Sequence, residues 1–301
     1  MAVYTVYDDG NRLEDVQLFI TILTPTDTPF YSGTPKTKAG NVLHQWPEET
    51  LSTRQDNAQV EGGSYSYAKE TAPSRVINIT QIFEKTYAIS SSQMWVKSAG
   101  IKDKFLHAQK KRLKELVTDI EHALLRGSIN SGNDSVARRL GGALNFISTN
   151  LTAVNSGDKL TESFFNGLAQ LVWNQGGDPD EAYVSGMLKR VVSAYTAGLT
   201  KYIGADDKRL VNTISMYEND FGLMKIIKSR DMPVGTNASM CLVVTSTSWK
   251  VAIGEPVHVL PEAEVAQTIR GKQGVIRGEL TLEVLGQSHN ALATGLQNLF
   301  N

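Results

Sequence analysis

The longest uninterrupted amphipathic pattern in the chain runs from Ile101 to Arg126. Phe105, Leu113, Leu116, Val117, Ile120 and Leu124 recur at three- and four-residue spacing, which puts them on one stripe of a helix. Lys102, Lys104, Lys110, Lys111, Arg112 and Lys114 occupy the other face, and Gly100 and Gly127 mark the start and stop. At about 1.5 Å per residue the helix is roughly 35–40 Å long, the diameter of a small domain. It reads as a spine between an extended N-terminal part and a folded α/β body.

Upstream, residues 1–35 form an arm. Leu13, Val16, Phe19, Ile20 and Leu23 predict a short amphipathic helix, which the run from Thr24 to Phe30 breaks. Pro25 and Pro29 there fix φ near −65° and remove two donors, so the segment resists a helix interior or a central strand. Residues 36–90 read as a long β-hairpin. One side is Asn41 to Trp46. The other is Val76 to Ser90, with Ile77, Ile79, Phe83, Tyr87 and Ile89 mostly on one face at period two. Between them the chain is polar, carries the Gly62-Gly63 doublet and has no periodicity. A connection that long is functional or disordered, and a two-stranded arm is marginal alone in water.

Downstream, Arg138 to Leu144 is a turn into a second body. Thr161 to Trp173 predicts a helix with Phe164, Phe165, Leu168, Leu171 and Val172 on its core face, and Ser185 caps another that runs to about Thr196. Tyr183-Val184, Val211–Tyr217, Leu223–Lys228, Met240–Ser246, Trp249–Ile253 and Val257–Leu260 predict strands of a mixed α/β domain. Val275–Leu285 is the clearest strand: Ile276, Leu280, Leu282 and Val284 face one way, and Arg277, Glu279, Thr281 and Glu283 the other. Its apolar face needs a cover, which the stripe of the spine offers.

Composition narrows the function. The 301 residues include 30 Lys and Arg against 31 Asp and Glu, a net charge of −1, so no global field recruits nucleic acid or membrane. The single cysteine, Cys241, excludes an internal disulfide and lies in an apolar run. The N-terminus has no signal-peptide pattern, and no run approaches the ~20 apolar residues of a membrane span. Catalytic motifs are missing. Asp220-Phe221-Gly222 lacks the rest of the kinase set, and there is no HExxH, GxSxG elbow or P-loop. His44, His107, His122, His258 and His289 have no metal-ligand spacing. Asp178 to Glu181 lacks a calcium-loop pattern and reads as a solvated loop. The expectation is a non-enzyme without cofactor or metal. Extensions that cannot be stable alone argue for an assembly subunit.

The same segments resemble the major capsid (major head) proteins of tailed bacteriophages, in particular those of podovirus-like and prophage genomes. The likeness covers nearly the whole chain. It rests on Glu14-Asp15-Val16 and Pro25 to Phe30, on Gln45-Trp46 and Ala58 to Gly62, and on Thr80-Gln81-Ile82. It continues with Lys114-Glu115-Leu116, Asp119 to Ala123, Tyr217 to Gly222, Arg230 to Pro233 and Gly278 to Val284. The resemblance implies an α+β Hong Kong 97-like phage capsid fold. Residues 1–35 are then the N-arm, 36–90 the E-loop, 91–145 with 266–301 the P-domain carrying the spine helix, and 146–265 the A-domain.

It also implies a virion protein that self-assembles into pentamers and hexamers of an icosahedral head, built in the host bacterial cytoplasm around double-stranded DNA held without sequence preference. The chain opens directly on the arm, so a scaffold is expected as a separate protein, beside a portal and decoration proteins. Some relatives cross-link through a Lys–Asn bond; no such set matches here residue by residue. Inter-subunit contacts are expected at Phe19, Ile20 and Phe30 of the arm, which have no partners within it, and at Trp46, Arg54, Glu61 and Arg75 of the hairpin. The alternatives are an encapsulin-like shell around cargo enzymes and a soluble enzyme.

Overall fold

A computed structural model describes residues 27–65, 67–98, 101–154, 158–195, 215–261, 265 and 269–297. The expected arm helix with Phe19 and Ile20, Pro25, Gly100 and the start of the Val211–Tyr217 strand lie outside these residues. The spine is helix α3, Lys104–Arg126. Its start is set by Asp103, whose Oδ1 accepts from the amides of Phe105 at 2.9 Å and Leu106 at 3.0 Å, a side-chain cap. Gly127 follows its end, as the sequence predicts. Leu116, Ile120 and Leu124 of the predicted stripe are buried, together with Ala123, Leu125 and the carboxylate Glu121. Leu113 is exposed instead. Between Ile120 and Leu125 only His122 stays exposed, so the stripe there broadens into an almost complete sleeve.

Contacts group the chain into two units. One contains Glu84–Leu116 and His258–Ile276; the other contains Asp27–Phe83, Val117–Val257 and the chain from Arg277. The larger unit holds a six-stranded sheet made of β5 (Leu151–Ala153), β6 (Glu181–Val184), β7 (Met216–Asn219), β8 (Gly222–Lys228), β9 (Ser239–Val244) and β12 (Ala291–Leu296). Its order is β5-β12-β9-β6-β8-β7. Helices α5 (Glu162–Asn174) and α6 (Gly186–Ala194) pack on it, capped by Thr161 and Ser185 hydroxyls. Phe165, Leu168, Val172, Leu188, Met224 and Val243 lie in the resulting core. Leu171, expected on the core face of α5, is exposed. Cys241 is buried, and burial pushes its thiol up to about 12.

A four-stranded sheet has the order β1-β10-β11-β4, formed by β1 (Lys36–Lys38), β4 (Gln81–Ser90), β10 (Trp249–Val259) and β11 (Gly271–Val284). Here two expectations need correction. The second hairpin side is two strands, not one: β3 (Ser74–Ile79) pairs antiparallel with β2 (Leu43–Glu48), while β4 restarts after Thr80 and joins β11. The two strands expected at Trp249–Ile253 and Val257–Leu260 are one, running through Gly254 and Pro256. A Cβ on Gly278 of β11 would meet Val257 Cγ2 at 2.7 Å, so β10 and β11 approach closely and pairing overrides the local breakers. Residues 291–296 pair with β9 and β5 in the six-stranded sheet.

In the smaller unit, Tyr87 of β4 stacks at a tilt on Phe105 of α3, with centroids 5.0 Å apart. A Cβ on Gly274 of β11 would lie 2.3 Å from the Tyr87 ring, so only glycine admits that ring. The burial pattern gives a direct check on the spine. Leu124→Ala is expected to lower unfolding free energy by about 2–5 kcal/mol. Leu113→Ala should stay within about 0.5 kcal/mol of wild type, as exposed sites do. Denaturant melts of the two variants distinguish the observed sleeve from the predicted stripe.

Candidate assembly surfaces

Helix α1 (Pro29–Gly33) begins without a side-chain cap from its own N-cap residue, Thr28. Glu121 of the spine takes that role. Its Oε1 accepts from the Phe30 amide at 2.9 Å and its Oε2 from the Tyr31 amide at 2.6 Å. Burial pushes this carboxyl above its ordinary value; the two amides pull it down, Asp231 pushes up and Lys36 pulls down. Phe30 then inserts edge-on against Tyr183 of β6 at 5.2 Å and Trp249 of β10 at 5.9 Å. Phe30, expected at an inter-subunit contact, is buried within its own chain. Sequence reasoning missed Glu121; its signal was a carboxylate lying among Val117, Ile120 and Leu124 on an otherwise apolar stripe.

Trp46, expected at a contact too, also points inward. It is buried, its indole N–H donates to the Val284 carbonyl at 2.9 Å, and its ring lies 6.4 Å from Phe146. Beside it, His44 Nε2 and Glu283 Oε2 are 3.1 Å apart. Trp46 thus anchors the base of the hairpin to its own chain. Arg54, Glu61 and Arg75 are exposed, the first two on the connection between β2 and β3.

That connection is the open surface. From Glu49 to Pro73 the described residues are exposed and belong to no strand or helix, with a turn at Glu61-Gly62. It carries large apolar side chains nearly bare: Leu51 at 96%, Val60 at 84%, Tyr65 at 89% and Tyr67 at 92% exposure. Isolated exposed apolar residues are ordinary; four on one stretch that leaves an anchored hairpin make a concentrated exposed apolar surface.

The motif-like segments have structural roles. Asp220-Phe221-Gly222 lies at the turn between β7 and β8. Asp180 is not simply solvated: it accepts from the Ser246 amide at 2.7 Å and from the Ser246 hydroxyl, fixing the turn before β10. Among the described residues no group of His, Cys, Asp and Glu could hold a metal ion, and no helix is long and apolar enough to cross a membrane.

The clamp has a pH signature. The folded carboxyl of Glu121 sits above its ordinary value of 4.5, so the folded state binds its proton more tightly than the unfolded one. The stability this proton contributes is complete below 4.5 and lost as pH rises through the folded value. Wild type should therefore lose stability relative to Glu121→Gln as pH rises above 4.5, measured by paired melts across pH. Glu121→Ala, which orphans two amides, should cost about 1–3 kcal/mol per buried donor.

Comparisons with known proteins agree with this geometry. The SU10 major capsid protein family matches residues 3–297. A major capsid protein of Escherichia phage Phieco32 is 30% identical over 128 residues, which is 42% of this chain and 36% of that protein. The match thus spans little more than a third of that relative's length. Among solved structures, the capsid of an empty GTA particle superposes with a TM-score of 0.68 at 10% identity, over 97% of this chain and 98% of the other. The holo-SrpI encapsulin complex from Synechococcus elongatus PCC 7942 gives 0.61 at 11% identity, over 100% and 98%. At such identities these structures establish the fold, which is the α+β Hong Kong 97-like capsid fold. The chain belongs to the SU10 major capsid protein family.

Proposed function

We propose that this chain is the major shell subunit of a tailed phage, closing pentamers and hexamers into an icosahedral head around double-stranded DNA. The observation that carries the reading is the connection from Glu49 to Pro73, whose Leu51, Val60, Tyr65 and Tyr67 have no cover in their own chain. Apolar surface costs about 25 cal/mol per Å² left in water, so four bare side chains gain several kcal/mol on docking. A neighbouring copy of the chain supplies that cover in a closed shell, and Arg54, Glu61 and Arg75 then form the polar rim that sets register. On this reading the hairpin is the E-loop, the smaller unit with the spine is the core of the P-domain, and the six-stranded sheet is the A-domain. Phe19 and Ile20 of the arm dock on a P-domain. The protein works by assembly rather than catalysis, in the virion, after assembly in the host cytoplasm with a scaffold and portal.

The encapsulin neighbour supports a second reading with the same fold, a shell around cargo enzymes. The family match favours the phage head. Electron microscopy of particles from an infected or expressing cell separates the two by their contents, DNA against protein cargo.

Two changes test the hairpin. Deleting Thr50 to Ala72 should leave a cooperatively folded subunit, because β2, β3 and the Trp46 anchor remain, yet abolish closed particles in sedimentation. Tyr65→Ser with Tyr67→Ser should leave the melt of the unassembled subunit unchanged and lower particle yield severalfold. Normal particles from the deletion contradict the proposal.

A further inference from the structure

A chain with balanced charge carries a strongly unbalanced stretch. From Lys102 to Lys114 six lysines and arginines, namely Lys102, Lys104, Lys110, Lys111, Arg112 and Lys114, face a single carboxylate, Asp103. That carboxylate is occupied as the cap of α3. Beyond the run, Glu115 pairs with Arg112 at 2.6 Å. Among the described residues no carboxylate pairs with Lys110, Lys111 or Lys114, and all three are exposed.

Helical spacing decides what this surface fits. Lys104, His107, Lys111 and Lys114 recur at intervals of three and four and form one stripe, with Lys110 beside it. The stripe is about 15 Å long from Lys104 to Lys114. The large apolar residues of this part of α3 that reach solvent, Leu106 and Leu113, lie off the stripe. A protein-docking surface has an apolar centre inside a polar rim. Here the centre is ammonium groups, which act as point charges without the fixed fork that reads carboxylate or base geometry. Such a surface suits a partner that presents dense, evenly spaced negative charge and asks for no apolar contact. Duplex DNA carries one negative charge per roughly 1.7 Å of its axis.

We propose that the lysine stripe on the first half of the spine is a phosphate-backbone contact for double-stranded DNA, independent of sequence. The inference rests on the shell reading, in which DNA lies inside. One chain contributes few charges and holds DNA weakly; many copies in a shell add. Lys104 is left aside as a test position, because its ammonium donates to the carbonyls of Gln93 and Val96 and so has a structural role.

The test uses full-length unassembled subunits, a short duplex of mixed sequence and fluorescence anisotropy across a range of salt. K110Q/K111Q/K114Q should weaken binding by roughly tenfold or more at low salt and flatten the log–log salt slope by about 3. K38Q/K159Q/K228Q removes the same charge from exposed sites elsewhere and should leave the slope unchanged. Equal effects of the two triples, or none from the first, overturn the proposal. So does wild type binding polyglutamate more tightly than the duplex through these three lysines, which would assign the stripe to an acidic protein. Particle formation by wild type and both triples is scored separately. Absence of particles from wild type refutes the shell reading, while the anisotropy result still decides the stripe.

Discussion

A buried carboxylate closes the larger unit of this fold. Glu121 sits inside the spine helix with its charge out of water, a position that costs several kcal/mol unless hydrogen bonds replace the lost hydration. The amides of Phe30 and Tyr31 replace it, and in turn they are the orphan donors that any helix start must satisfy. Each partner offsets the other's penalty, the carboxylate's only in part, since burial still holds its carboxyl above the ordinary value. The geometry also delivers Phe30 between Tyr183 and Trp249, which begin or belong to strands of two different sheets. One ion-to-amide clamp thus fixes the spine, the first described helix and the start of β10 together.

Against that closed interior stands the hairpin. Its base is anchored by the Trp46 indole on the Val284 carbonyl, and its far connection is bare. A single chain spends its aromatic anchors on its own core and leaves Leu51, Val60, Tyr65 and Tyr67 unspent. That division is what a shell subunit requires, a folded body that survives alone and an extension whose apolar surface is covered only in company. Membership of a major capsid protein family agrees with that division.

Much of the fold was legible in the sequence because its signals were local. The spine, the caps at Thr161 and Ser185 and the first half of β11 follow from spacing over a few residues, whereas Thr281 and Glu283, expected on the polar side of β11, are buried. What was hidden depended on distant partners. β12, Ala291–Leu296, reads as small residues without period and becomes a central strand only because β5 and β9 flank it. β10 runs through Gly254 and Pro256 because β11 approaches it closely at Gly278. The burial of Phe30 and Trp46 was not legible because the groups that enclose them are distant in sequence: Glu121, Tyr183 and Trp249 for the first, Phe146 and Val284 for the second. The exposed connection was visible as a segment with no pattern, although which side chains it bares required the structure.

The central claim is that the clamp at Glu121 is complete within one chain while the connection from Glu49 to Pro73 is completed by another. Amide hydrogen exchange, compared between unassembled subunits and closed particles, tests it most directly. The account predicts that the Phe30 and Tyr31 amides are protected in both states, and that the amides between Glu49 and Pro73 exchange freely in subunits and become protected in particles. Unprotected Phe30 and Tyr31 amides in the subunit, or a connection that exchanges equally fast in particles, would contradict it.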